Sequence, residues 1–132
     1  MQLHQILGAA AVAPIFFNLT LNGVDETSFS DIKDILEQTI AAANNVPLSS
    51  VNANFVGMTP YTSTRSSDGF AVIKVIISPT DPDNLTEVLG KINNTEVFLS
   101  EINTELVSYK VDVLSMSEVE RMPGLQFDYI LH

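Results

Sequence analysis

The run FAVIKVIIS, Phe70 to Ser78, is the longest stretch of apolar and β-branched residues that no turn residue interrupts; Asp68-Gly69 precedes it and Pro79 follows it. Side chains branched at Cβ are stiff and fit a pleated surface, so a short bounded run of this kind reads as a strand rather than a helix. Alternation puts Ala71, Ile73, Val75 and Ile77 on one face and Phe70, Val72, Lys74 and Ile76 on the other. Both faces are largely apolar, so the strand belongs in the middle of a sheet and both faces call for cover.

The chain has 132 residues, enough for one domain that buries about two thirds of its unfolded surface without staples. Cysteine is absent, which excludes disulfides, zinc-thiolate sites and thiol nucleophiles. Six Lys and Arg stand against sixteen Asp and Glu, a formal charge of -10. Such a surface repels phosphate backbones and anionic headgroups, so nucleic acid is not an expected partner. No apolar run approaches the ~20 residues needed to span a bilayer. The start, MQLHQILGAAAVAP, has an A-x-A arrangement but no Lys or Arg ahead of its apolar segment; we read it as part of the mature chain rather than as a signal peptide.

Around the central run the other elements fall into order. IFFNLTL, Ile15 to Leu21, alternates with Ile15, Phe17, Leu19 and Leu21 on one face. After Asn22-Gly23, a helix is expected to start by capping at Ser28 with Asp31 following. Its stripe is Phe29, Ile32, Ile35, Leu36, Ile40 and Ala43, with Asp31, Asp34 and Glu37 as a solvated face; Asn44-Asn45 and Pro47 close it. VNANFVGM, Val51 to Met58, alternates with Val51, Ala53 and Phe55 inward, and a polar connection joins it to the central run as a long-looped hairpin. Asp83 or Asn84 is placed to cap a second helix carrying Leu85, Val88, Leu89 and Ile92. Asn93-Asn94 interrupts this helix, which resumes through Phe98, Leu99, Ile102 and Leu106. VSYKVDV, Val107 to Val113, reads as the last strand. Strand, helix, strand, strand, helix, strand is the split βαβ pattern, an α+β, ferredoxin-like βαββαβ two-layer sandwich over residues 15–114, with the first and third strands central.

The pieces GVDETSFSDIKDILEQTIAAANNVPLSSVNANFVG and NNTEVFLSEINTEL resemble a ferredoxin-like, SEA-like module of secreted and surface glycoproteins of algae and other protists. That resemblance implies an extracellular or cell-surface protein. SEA modules that cleave themselves use a Gly-Ser step, whereas Gly69 here precedes Phe70, so no self-cleavage is expected. With its apolar tails on a small β-rich body, the chain also resembles subunits of extracellular filaments built by strand exchange.

Those tails are the N-terminal arm, residues 1–14, and the C-terminal arm, residues 115–132. The first carries Leu3, Ile6, Leu7 and Val12; in the second, beyond Pro123-Gly124, Leu125, Phe127, Tyr129 and Leu131 alternate as an extra β-strand. Helices covering one face of the sheet would leave Phe16, Val56, Met58, Phe70, Val72, Ile76 and Leu114 on the other, a patch that tends to mark an interaction surface. Three sequons, at Asn18, Asn84 and Asn93, offer N-glycosylation sites, and all three are expected to reach solvent. His4 and His132 stand far apart, so no metal or catalytic triad pattern arises. The reading is a non-enzymatic subunit without cofactors that partners itself as a head-to-tail homopolymer, joined by insertion of a terminal strand into the neighbouring subunit. The alternative is a small-molecule-binding or regulatory module using the open sheet face.

Overall fold

The computed structural model describes residues 12–60 and 69–121. β1 (Ile15–Asn22) alternates buried and half-buried residues along its whole length. Gly23, at φ +96, turns the chain out of the strand. Asp25 then caps α1 (Glu26–Asn44): its carboxylate accepts the Ser28 N–H at 2.8 Å while the Asp25 N–H donates to Ser28 Oγ at 3.0 Å. Ser28 is thus the third helical residue of a reciprocal box rather than the cap expected of it. The sequence offers two capping residues in one turn, and the earlier one leaves the later as its partner. Phe29, Ile32, Leu36 and Ile40 are buried as their spacing requires, with Ile35 and Ala43 packed at the margin. Asn45 ends the helix in the left-handed region, φ 56, where Asn is tolerated better than most residues.

The Asp25 carboxyl is held below the usual carboxylate range, first by the Ser28 backbone N–H and then by the Ser28 side chain. A carboxylate favoured by folding contributes stability above its unfolded pKa, and the contribution is lost as pH falls through the lower folded value. Asp25→Asn keeps a capping oxygen but not the charge. Its urea midpoint is expected to lie below that of the wild type at neutral pH and to converge with it in strong acid; a gap that is constant with pH would contradict this role.

β2 (Val51–Pro60) and β3 (Gly69–Ile77) pair antiparallel, and β1 lies antiparallel to β3 on its other side, so the sheet runs β2-β3-β1-β4. The FAVIKVIIS run is β3, in the centre. α2 (Pro82–Asn93) is capped by Asp81, not by Asp83 or Asn84. It breaks at Asn94, from which α3 (Thr95–Leu106) continues. All three helices pack on one face of the sheet, the α+β ferredoxin-like sandwich that the pattern implies. The core between the layers holds Ile15, Phe17, Leu19, Leu21, Ala71, Ile73, Val75 and Ile77 from the central strands, all fully enclosed. Phe98 of α3 meets Phe17 edge to face, with ring centroids 5.9 Å apart.

The last strand differs from expectation. Val107–Tyr109 is a 3-10 turn that prolongs α3, Lys110 is left-handed at φ 62, and β4 (Asp112–Met116) begins only afterwards. Val111 and Val113 are buried, but Val107 and Tyr109 are exposed. Alternation alone could not tell these apart, because the helical stripe Phe98, Ile102, Leu106 runs directly into the apparent strand. β1 also pairs with β5 (Glu120–Arg121), at Ile15 and Phe16. Between β4 and β5, Ser117 donates its N–H to Asn18 O at 2.9 Å and accepts the Asn18 N–H on Oγ at 2.8 Å. The sheet therefore extends into the segment expected to be an arm.

Candidate interaction surface

The helix-free face of the sheet is built from β1 and β3 positions that alternate with the core. The register sets Phe16 beside Ile76, Asn18 beside Lys74 and Thr20 beside Val72. Phe16, Phe70, Val72 and Ile76 are half-buried, and no described helix lies over them. Lys74 Nζ sits 4.5 Å from the centroid of the Phe16 ring, a cation–π contact that ties up the cation of this row. Asn52 and Asn54 extend the row on β2, joined by an amide hydrogen bond of 3.0 Å. The face is thus apolar at its ends and polar across its middle.

Three residues expected on that face sit elsewhere or at irregularities. β2 and β3 lose register between Phe55 and Gly57, and Val56 is skipped in the pairing. Beyond this bulge the phase inverts: Met58 stands opposite Ala71 and so shares the helix side. Leu114 is the residue skipped between β4 and β1. Val56 and Leu114, the two skipped residues, are exposed at 60% and 46%, because a bulge re-aims its own side chain; Met58, past the bulge, is exposed at 45%.

Helix side chains close part of each sheet edge. On β2, Glu37 Oε2 accepts the Ala53 N–H at 2.8 Å, and Lys33 Nζ, paired with Glu37 at 2.8 Å, donates to Ala53 O. The preceding outward N–H, that of Val51, is taken by Leu48 O. On β4, Asn103 of α3 accepts the Val113 N–H at 2.7 Å and donates to Val113 O at 3.2 Å. Glu37 is consequently not part of a solvated face: its side chain is 14% exposed. Sequence reasoning put Glu37 on that solvated face and assigned no role to Lys33 or Asn103. Their only sequence signal is that each borders an apolar stripe position.

The sequons occupy unlike places. Asn18 faces the open side of β1, half-buried, and Asn93 is exposed at the end of α2. Asn84 is nearly buried: it is 9% exposed, and its Oδ1 accepts the Thr80 N–H at 2.9 Å inside the turn before α2. Of the expected interface residues, Val12 is half-buried just ahead of β1; Leu3, Ile6, Leu7, Leu125, Phe127, Tyr129 and Leu131 lie outside the described residues. A groove of 510 Å³ runs between α1 and α3, floored by Ile35 and Ala43 and rimmed by Glu101 and Glu105. Among the described residues no group of three or more His, Asp or Glu side chains is placed to hold a metal ion, and no described helix is long and apolar enough to cross a membrane.

No family model matches the sequence, and no curated protein matches it. Among solved structures, the chain is similar to the crystal structure of AtUAH in complex with glyoxylate and to that of AtUAH in complex with (S)-hydroxyglycine. Each has 8% sequence identity and a TM-score of 0.39 over 83% of this chain, which spans 28% of theirs. A likeness that slight carries no argument about function.

Proposed function

We propose that the chain is a structural subunit of an extracellular, glycosylated filament that assembles head to tail by inserting a terminal β-strand into the sheet of the next subunit. The observation that carries this reading is the outer edge of β2. It is ten residues long, has no charged residue from Val51 to Pro60, and has no described strand beside it. Its unguarded part lies between the Lys33 and Glu37 contacts at Ala53 and the terminal Pro60, and a sheet edge left unpaired is a template for another chain. A strand seated at this edge also leaves Asn18 and Asn93 clear to carry sugar, whereas one laid across the open face would collide with a glycan on Asn18.

Deleting residues 123–132 tests the reading. The truncated chain is expected to keep the circular dichroism spectrum and thermal transition of a folded domain and to sediment as a monomer, while the full chain forms filaments visible in electron micrographs. Filaments that persist after the deletion would exclude the C-terminal segment as the donor. A full chain that is itself monomeric at all concentrations would favour a ligand-binding module.

A further inference from the structure

We infer that side chains of α1 and α3 decide where a second copy can add a strand: Glu37 with Lys33 closes the first half of the β2 edge, Asn103 closes the β4 edge at Val113, and among the described residues the stretch from Phe55 to Thr59 is left as the acceptor. This deepens the strand-insertion reading and rests on it. At an edge, alternate residues point both their N–H and C=O away from the sheet, and these are the groups a new strand would bond. Ala53 and Val113 are such residues. The Asn103 amide presents an acceptor and a donor in one plane, as a peptide unit does, and so gives Val113 what an added strand would give. Lys33 and Glu37 provide the same pair to Ala53 with full charges, which makes those bonds stronger. An incoming strand would have to displace both and leave the nearly enclosed Glu37 carboxylate without its partner.

Past Ala53 no hydrogen bond from a described helix side chain reaches this edge. Phe29, in the opening turns of α1, meets Phe55 with ring centroids 6.2 Å apart, so β2 from Val56 onward runs beyond the start of the helix. That stretch exposes Val56 and Met58. The occupant it fits is an extended, alternating apolar segment of a second copy, residues 125–131, which would pair with the β2 backbone and lay its apolar side chains on the side of Met58.

The test uses the full chain and four variants, Glu37→Ala, Glu37→Gln, Asn103→Ala and Met58→Lys, followed by amide hydrogen exchange and sedimentation velocity. Glu37→Ala is expected to speed exchange at Ala53 about tenfold or more while the amides of β1 and β3 stay protected, and Asn103→Ala to do the same at Val113. Both should raise the apparent association constant about tenfold, by opening edge that is now closed. Glu37→Gln retains an acceptor and should move both readouts less. Met58→Lys should lower association about tenfold by placing a charge at the remaining acceptor. Unchanged exchange at Ala53 and Val113 would overturn the guard role, and unchanged association in all four variants would overturn the acceptor assignment. The two readings separate cleanly: a monomeric wild type that associates on Glu37→Ala refutes the filament and sustains the guards, whereas filaments indifferent to every variant sustain the filament and refute the guards.

Discussion

Phe17→Ala is expected to lower the free energy of unfolding by about 3–5 kcal/mol, the usual cost of deleting an aromatic ring from a tight core. Phe17 is fully enclosed at the middle of β1, with Val75 opposite it on β3 and the Phe98 ring against its edge. It therefore joins the sheet to α3. Removing it leaves a void against β3, which is held in register with β1 along its length, so the walls close in poorly. Since domains of this size have a net stability of about 5–15 kcal/mol, the variant stands near the limit of folding. Phe17→Leu retains most of the volume and forfeits mainly the ring pair, worth about 0.5–1.5 kcal/mol. Urea denaturation followed by circular dichroism measures both. A loss below about 1 kcal/mol for the alanine variant would mean that Phe17 does not join the layers as described.

Gly23→Ala is the second large effect. At φ +96 a residue with a Cβ is strained, at a cost of about 1–3 kcal/mol. The added Cβ would also fall well inside contact distance of the Lys110 carbonyl oxygen. A backbone atom cannot swing aside as a side chain would, and Lys110 is itself left-handed. The expected loss therefore exceeds the strain alone and falls on the joint between the end of β1 and the start of β4. Gly90→Ala provides the control: a Cβ there meets nothing within 4 Å, and in the interior of α2 it should stabilise by about 0.5–1 kcal/mol. Equal thermal shifts for the two substitutions would contradict the crowding at Gly23.

Much of this architecture could be read in advance because period and burial agree. Ile15, Phe17, Leu19 and Leu21 alternate, and all four are enclosed; Phe29, Ile32, Leu36 and Ile40 recur helically, and all four are buried. Asn93-Asn94 marked a real break between helices. What escaped were features decided by two segments together. A run such as VSYKVDV is locally consistent with a strand, and only the prior claim of α3 on the chain makes it a turn. The bulge at Val56 has no local signature beyond Gly57, yet it moves Met58 to the opposite side of the sheet. The edge contacts of Lys33, Glu37 and Asn103 depend on which strand lies beneath each helix, which no spacing within the helix records. The candidate surface was legible in outline, through Phe16, Phe70, Val72 and Ile76, but its usable limits were not.

β1 has one flank occupied by β3 and the other filled piecemeal by β4, Ser117 and β5. The pieces on that second flank come from the far end of the chain; the Asn18–Ser117 link alone spans 99 positions. On the ribosome, then, β1 keeps this flank bare until the segment around Ser117, 99 positions further along, has left the exit tunnel, and contacts of such separation close slowly. The nascent chain thus has an interval in which β1 could be claimed by a neighbour on the same messenger. Sealing it waits on the segment that follows α3.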